Sequence, residues 1–579
     1  MDVSSQETQW LDRFKFVYNK RVKWDQKLNL QTSFYSSLGA LSFLLGSCSM
    51  SLNSGLESNL NAALSASGGG PSNGYFLNFS PPSGPVGTLV SVSGIDFSNF
   101  QSASLGSGSL LPVSQTSTEL TVLLLPGVSS GPIAVHTAGG VFFSPSSFII
   151  SSTRFLPNPV KVQGGGSIGG PHQGAAGPML QNNGNVSSVA LSADGSTAVM
   201  GGYNDGPSPG ATVWGGAAWI FTRSSNRLWS QQGAKLFPSD ALGTNVGFGC
   251  SVAISADGNT VLIGGWHDDT QAGAAWVFTR TNGAWTQQGP KLVGSGVLGT
   301  PLGPFGIPGG RVGASQGLSV ALSADGNTAL IGGPTDNDAA GAAWVFTRSQ
   351  GAWTQQGKLV GPGASNSGIG PPFVSLYGAE QGSAVALSAD GNTALLGGMY
   401  DRQGVGAAWI FTRAGGTWSS GVKLVDPSAS SAFQGTSVAI SADGKEVLVG
   451  GTGDSGGKGA VWVYRFTAGS WTSVAKLVPN DGSGSSLFGT VSLSADGQMA
   501  FIGGGGDAGG AQAPGAAWVF IQSAGVWTQQ GSKYVPSTQA VAQGSGIALS
   551  SDGSTGMACS PADNRNSMVG VGACFVYSD

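Results

Sequence analysis

The sequence predicts an all-β fold: a seven-bladed β-propeller preceded by a small β-sandwich and an N-terminal helical or signal segment. Three observations carry this. The phrase Ser-Ala-Asp-Gly recurs with its Asp at Asp194, Asp257, Asp325, Asp390, Asp443 and Asp496, and an altered copy, Ser-Ser-Asp-Gly, surrounds Asp552. A period of roughly 40–70 residues with several strands per unit is the signature of a propeller or array. Apolar, strand-like runs flank every copy. Gly makes up 98 of 579 residues without a Gly-X-Y period, which excludes collagen and suits an all-β chain with many tight hairpins.

Four segments follow in order: 1–50, 51–74, 75–152 and 153–579. The first holds most of the chain's clustered charge, including Lys20, Arg21, Lys23 and Lys27, followed by an apolar run from Leu38 to Cys48. That run is too short for a membrane helix, which needs ~20 residues, and its length suits a signal-peptide core. Leu45-Gly46-Ser47-Cys48 resembles a bacterial lipobox, which implies lipidation of Cys48. An amphipathic helix and a docking segment for a larger assembly are the other readings. Residues 51–74, rich in Ser, Asn and Gly, read as a flexible linker.

Within 75–152, short alternating runs at Leu89–Val92, Leu120–Leu124 and Ile133–Thr137, a Gly139-Gly140 turn into Val141–Phe143, and Phe148–Ile150 predict a small sandwich. Pro82, Gly84, Gly87, Thr88, Val90, Val92, Gly94, Phe97, Pro126, Val135, Gly139, Gly140 and Phe148 carry a pattern that resembles the IPT/TIG immunoglobulin-like family. The resemblance implies a spacer or protein-binding module.

The third repeat is the cleanest. It predicts strand A at Ser319–Ser323, B at Thr328–Gly332, C at Ala342–Thr347 and D at Trp353–Val360, with Ala324-Asp325-Gly326-Asn327 as the A–B hairpin turn. Strand C carries Trp219, Trp276, Trp344, Trp409, Trp462 and Trp518; strand D carries Trp229, Trp285, Trp353, Trp418, Trp471 and Trp527. All twelve are expected in the core between blades. The seventh repeat ends after strand C, and Val160-Lys161-Val162 is the expected donor of its missing strand. Phe248-Gly249, Ile263-Gly264-Gly265, Gly273-x-x-Trp276-Val-Phe and Phe488-Gly489 resemble the FG-GAP repeats of integrin-alpha-type propellers. Many members bind calcium between strands A and B. Here that turn offers one Asp, and calcium needs roughly 6–8 oxygen ligands, so no metal or other cofactor is expected.

Candidate functional residues are those that differ between repeats. The D–A connections 294–318 and 361–383 are the long ones. They carry Phe305, Arg311, Phe373, Tyr377 and Glu380, and the nearby B–C loops add Trp266, His267, Tyr400 and Arg402. These residues are the expected ligand-binding surface. The B–C loop also holds an Asp in every repeat (Asp205, Asp268, Asp336, Asp401, Asp454, Asp507, Asp563), expected to cap the turn. Cys559 and Cys574 replace residues that pair across strands B and C in the third repeat, which predicts a disulfide and an oxidising compartment.

With 9% charged residues and a net charge of -4, the chain lacks the basic surface that nucleic acid requires. Three His and five Glu form no Ser-His-Asp, H-E-x-x-H or P-loop pattern. The expected function is non-enzymatic: an extracellular or cell-surface binding or adhesion protein that presents its loop face to a protein or glycan. Membrane contact would come only through the N-terminal anchor. A structural role in an envelope or virion-like assembly, and a polysaccharide hydrolase or lyase, are the alternatives.

Overall fold

The computed structural model describes residues 75–578 apart from 85–86, 96, 126–127, 151–158, 166–187, 204, 206–214, 299–312, 366–377, 510–512, 524, 536–541 and 562–571. The described residues belong to one compact unit, Ser72–Asp579. The export, lipidation and linker readings of 1–74, Cys48 included, lie outside the described residues.

Seven sheets follow one another from Val189 to Ser578, six of four strands and one, the fourth, of five because its outer strand is split into Thr417–Trp418 and Val422–Leu424. The third comprises Ser319–Leu322, Thr328–Gly333, Ala342–Ser349 and Ala352–Leu359, within a residue or two of the expected strands. The seventh comprises Gly546–Leu549, Thr555–Ser560 and Ala573–Ser578, and Val160–Val162 pairs antiparallel with its last strand. The propeller is therefore closed by a segment N-terminal to its first blade. Cys559 lies opposite Cys574 on adjacent strands, and the two are joined by a disulfide with Cα atoms 3.9 Å apart.

Strand C reads Ala-Ala-Trp-Val-Phe in its commonest form because both its faces are buried. All six of its Trp are fully buried. Trp276 packs with Val199, Ala218 and Ile220 of the preceding blade, and Trp344 with Leu262, Ala275 and Val277. Each ring removes about 150–250 Å² from water, or about 4–6 kcal/mol. Close approach of adjacent blades also needs the first Gly of Gly-Gly: a Cβ on Gly332 would collide with the Gly382 carbonyl oxygen of the next blade.

The strand D Trp depart from expectation. They are only half-buried, because strand D is the outer edge. Trp285 and Trp353 lie under the guanidinium groups of Arg280 and Arg348, each 5.3 Å from the ring. Both indole N–H groups donate to a Gln of the preceding blade, Gln232 and Gln288, which also accepts from the same Arg. They are polar staples between blades, more than core.

The Ser-Ala-Asp-Gly phrase builds the inner rim. Ser323 Oγ donates to Asp325 and accepts from the Thr328 N–H, while the Asn327 N–H donates to Asp325. The Ala backbones then link the blades. Ala193 N–H donates to Ala256 O, Ala256 to Ala324, Ala324 to Ala389, Ala389 to Ala442, Ala442 to Ala495, and Ala495 to Ser551 O. Asp552 N–H donates to Ala193 O and closes the circle.

Residues Tyr75–Ile150 form an eight-stranded sheet around a core that includes Val90, Val92, Leu120, Val122, Leu124, Ile133 and Phe148. Leu123 alternates out of this core. Together with Leu89, Leu111 and Val113 it packs against Ala193, Ala256, Ala324 and Ala389. Leu123 also closes one side of an axial cavity of about 140 Å³, lined by Leu191, Ile254, Leu322, Leu387, Ile440 and the ring of small residues. The A–B face of the propeller is thus covered by the small β-unit.

Candidate functional site

The opposite face carries the B–C loops. Beneath it runs a regular support. Asp205, Asp268, Asp336, Asp401, Asp454 and Asp507 are all buried. Each pairs with a Lys on or just after strand D of its own blade: Lys235, Lys291, Lys358, Lys423, Lys476 and Lys533 respectively. The Lys358–Asp336 distance is 2.6 Å. Lys358 also lies 5.2 Å from the centre of the Trp344 ring, and Lys423 and Lys476 sit similarly over Trp409 and Trp462. The Asp side chains do not cap their own turns as expected; they tie each turn to the preceding D–A connection: Asp268 accepts from Leu242 N–H, Asp336 from Leu298 N–H and Asp401 from Ser365 N–H. The Lys partner was not foreseen, although Lys-Leu or Lys-Tyr recurs after every strand D Trp. Asp563 lies outside the described residues.

On this support stand one-turn elements at Asp268–Gln271, Asp336–Ala339, Asp401–Gly404 and Asp454–Gly457. Their central residues are left-handed: Asn337, Asp338 and Ala339 have φ of 50°, 55° and 64°. Left-handed conformation costs a non-Gly residue about 1–2 kcal/mol. The backbone carbonyl of the first-position Asp closes each turn: Gly341 N–H donates to Asp336 O and Gly406 N–H to Asp401 O. The turns expose Asp269, Thr270, Asn337, Asp338, Arg402, Gln403 and Ser455 as a polar rim.

Inside the rim lies a second ring. The residue four before strand A, or its equivalent directly before the longer strands at Phe248 and Phe488, has positive φ in six blades: Gly247, Ser315, Glu380, Phe433, Leu487 and Ala542. The backbone is the same in each, and the side chains all differ. The following residue is Phe or Gln. Phe248 and Phe488 pack edge-on against Trp276 and Trp518, at 5.5 and 5.4 Å. Gln316 and Gln381 instead clamp the backbones of Gly294 and Gly361.

Around the axis, Tyr203, Cys250, Trp266, Leu318 and Met399 form a buried apolar cluster flanked by Tyr400 and Phe433. The expected site residues divide here. Trp266 is a buried floor residue, 8% exposed, and not a surface contact; among the described residues its indole N–H has no hydrogen-bond partner. His267 stacks edge-on against Trp266 at 4.9 Å. Tyr400 is half-buried and meets Phe433 at 5.9 Å. Arg402 is exposed on the rim. Trp266 and Tyr400 therefore come together, whereas Phe305, Arg311, Phe373 and Tyr377 lie outside the described residues. The described ends of both long connections do reach the B–C turns, through Leu298 to Asp336 and Ser365 to Asp401. Burial pushes the Cys250 thiol up to about 11 and the Glu380 carboxyl up to about 8.

A family profile described as FG-GAP repeat matches residues 229–278 and 471–520. Each window runs from strand D of one blade to strand C of the next, and the two windows are those that contain Phe248-Gly249 and Phe488-Gly489. The chain carries FG-GAP repeats. Four other blades of this FG-GAP propeller hold Gln-Gly at the same place: Gln316-Gly317, Gln381-Gly382, Gln434-Gly435 and Gln543-Gly544. Each Gln bridges to the Gly before strand C of the preceding blade, as Phe248 and Phe488 do. No curated protein matches the chain. Among solved structures, hydrazine synthase of Kuenenia stuttgartiensis matches at 13% identity and a TM-score of 0.38, over 64% of this chain and 91% of its own. A 6-phosphogluconolactonase candidate from Bacteroides uniformis matches at 14% identity and 0.43, over 63% and 88%. Among the described residues, no helix is long and apolar enough to cross a membrane.

Proposed function

We propose that this FG-GAP propeller is a non-enzymatic, extracellular or cell-surface binding protein that engages a protein or glycan through its B–C face. One observation carries the reading. The A–B face is occupied by the small β-unit, with Leu123 seated over the axis. The B–C face, by contrast, displays varied residues on a rigid repeated backbone. Recognition usually resides in such irregular loops on a fixed scaffold. In this reading the 75–150 unit is an IPT/TIG-like spacer that holds the propeller by its covered face. The buried disulfide between Cys559 and Cys574 suits an oxidising compartment.

The test is a glycan array and a surface-protein capture assay with the full chain. These are repeated with Arg402→Glu and Asp269→Lys, both exposed positions. Binding by the wild type that falls at least about tenfold in the variants, with unchanged thermal stability, is expected (about 1.4 kcal/mol). Equal binding by all three proteins, or turnover of a polysaccharide by the wild type, overturns the reading.

A further inference from the structure

Among the described residues, the second ring of the B–C face contains one ionisable residue, Glu380, alongside Gly247, Ser315, Phe433, Leu487 and Ala542. Glu380 is 8% exposed, yet its carboxyl forms no hydrogen bond and no ion pair among the described residues. Other buried carboxylates on this face are matched. Asp336 and Asp401, on the two turns that bracket Glu380, are held by Lys358 and Lys423. An unpaired buried carboxylate is costly, and a folded protein ordinarily supplies a partner.

The repeat shows where the side chain goes. In the neighbouring blades this position meets the second residue after Gly-Gly of its own blade. Thr335 Oγ1 donates to Ser315 Oγ at 3.0 Å, the Phe433 ring lies against Gly453, and Leu487 lies against Gly506. It also meets the fourth residue of the preceding turn, as Phe433 meets Gly404. For Glu380 these two places hold Tyr400 and Ala339, and the Glu380 N–H donates to Ala339 O. The Tyr400 ring in turn meets Phe433. By the repeat, Glu380 is placed next to Tyr400, whose ring leads on to Phe433; a carboxylate with no cation among the described residues and an aromatic pair at its side is a composition that receives an ammonium or guanidinium group.

Building on the binding role of this face, we propose that Glu380, with Tyr400 and Phe433, forms a site for an organic cation: a primary ammonium or guanidinium group. The carboxylate accepts the charged N–H hydrogen bonds, and the ring faces stabilise the remaining positive surface. The group can come from a Lys or Arg side chain of a partner protein or from a free amine.

Calorimetric titration of the full chain at about pH 8.5, where this carboxyl is ionised, distinguishes the sources. The probes are n-butylammonium, its neutral isostere n-butanol, a Lys-containing peptide and the same peptide acetylated on Lys. Expected are saturable binding of n-butylammonium, none of n-butanol, and a loss of at least about tenfold in Glu380→Gln. A Lys peptide that binds more tightly than n-butylammonium, and loses this on acetylation, identifies a protein partner; equal affinity identifies a free amine. Phe433→Leu, which keeps the carboxyl, is expected to weaken both probes severalfold. Failure of both cations to bind the wild type, or equal binding by Glu380→Gln, overturns the site. If the site fails while Arg402→Glu still abolishes capture of the surface ligand, the general reading of the face stands. If amines bind through Glu380 while neither rim substitution affects capture, the site stands without that reading.

Discussion

The two faces of the propeller share one backbone repeat and use it differently. On the A–B face the same four residues return in each blade, with one Ala-to-Ser change at Ser551, and six Ala N–H groups with the Asp552 N–H form a closed hydrogen-bonded circle. On the B–C face the backbone again repeats, down to the left-handed residue before strand A, but its side chains run from Gly to Ser, Glu, Phe, Leu and Ala. Identical side chains at identical positions solve a packing problem that recurs in every blade. Different side chains at identical positions cannot answer a requirement of the fold, because the fold accepts all of them. Variation on a fixed backbone is what the proposed recognition role of the B–C face rests on.

The largest effect expected is at Glu380. Burial raises its carboxyl from the ordinary 4.5 to about 8. The native state then holds a proton that the unfolded chain releases. Stability is full below about pH 4.5 and is lost as pH rises through about 8, by up to about 4–5 kcal/mol. Glu380→Gln should flatten this decline in melting temperature across pH 4.5–8.5, as measured by thermal denaturation. A wild-type profile that rises with pH in this window would refute the unpaired state and bring Glu380 in line with its structural neighbours.

Almost as large is the effect expected below the rim. Lys358→Met leaves Asp336 buried with its charge uncompensated, at a cost of about 3–5 kcal/mol. Asp336→Asn should cost less, since Lys358 keeps some water contact and the Trp344 face. Chemical denaturation of both variants measures the asymmetry. Equal losses would mean that the Asp–Lys–Trp support is an ordinary surface pair, and that B–C regularity comes from the strands alone.

The covered face gives the third test. Leu123→Asp places a charge against the Ala ring and the apolar axial cavity, and should weaken the seat of the small β-unit by about 3 kcal/mol. The propeller keeps its own core, so the calorimetric melt should split into two transitions. A single transition at a lower temperature would show that the two parts share one cooperative core, and the covered face would then be an internal packing surface.

Much of this organisation is legible in the sequence because it is local. The Gly-Gly before the B–C loop and the Trp of strand C in six blades, with the spacing of Ser-Ala-Asp-Gly, fix blade number and register. The same register places Cys559 opposite Cys574. Less legible is whatever depends on which faces meet. Strand D Trp look like strand C Trp in the text, yet the outer edge leaves them half-exposed beneath Arg side chains. Trp266 reads as a loop aromatic, and only convergence of five blades at the axis buries it. Leu123 lies in a run, Leu120-Thr-Val-Leu-Leu-Leu125, whose continuous apolar character signals burial on both faces; the identity of the second partner is a matter of three-dimensional placement. The Lys partners of the B–C Asp residues had a visible signal in the recurring Lys after strand D, but salt-bridge pairing crosses more than twenty residues and needs the strand order to be seen.

The smallest expected effect on stability is at the outermost position, and it sharpens the contrast between the faces most. Arg402 is exposed, has left-handed φ, and lies in a turn held by the buried Asp401. Arg402→Gly removes the charge and relieves the backbone, so stability should stay within about 0.5 kcal/mol of wild type or rise slightly. Ligand capture should nevertheless fall, because a rim charge acts mainly on encounter and selectivity. The expected pattern is a slower association rate and a weaker salt dependence, measured by surface plasmon resonance at two ionic strengths. Leu123→Asp should do the reverse, with altered melting and unaltered capture. A variant set in which binding and stability always move together would remove the division of labour between the faces, and the variety of the B–C ring would then have to be explained by packing alone.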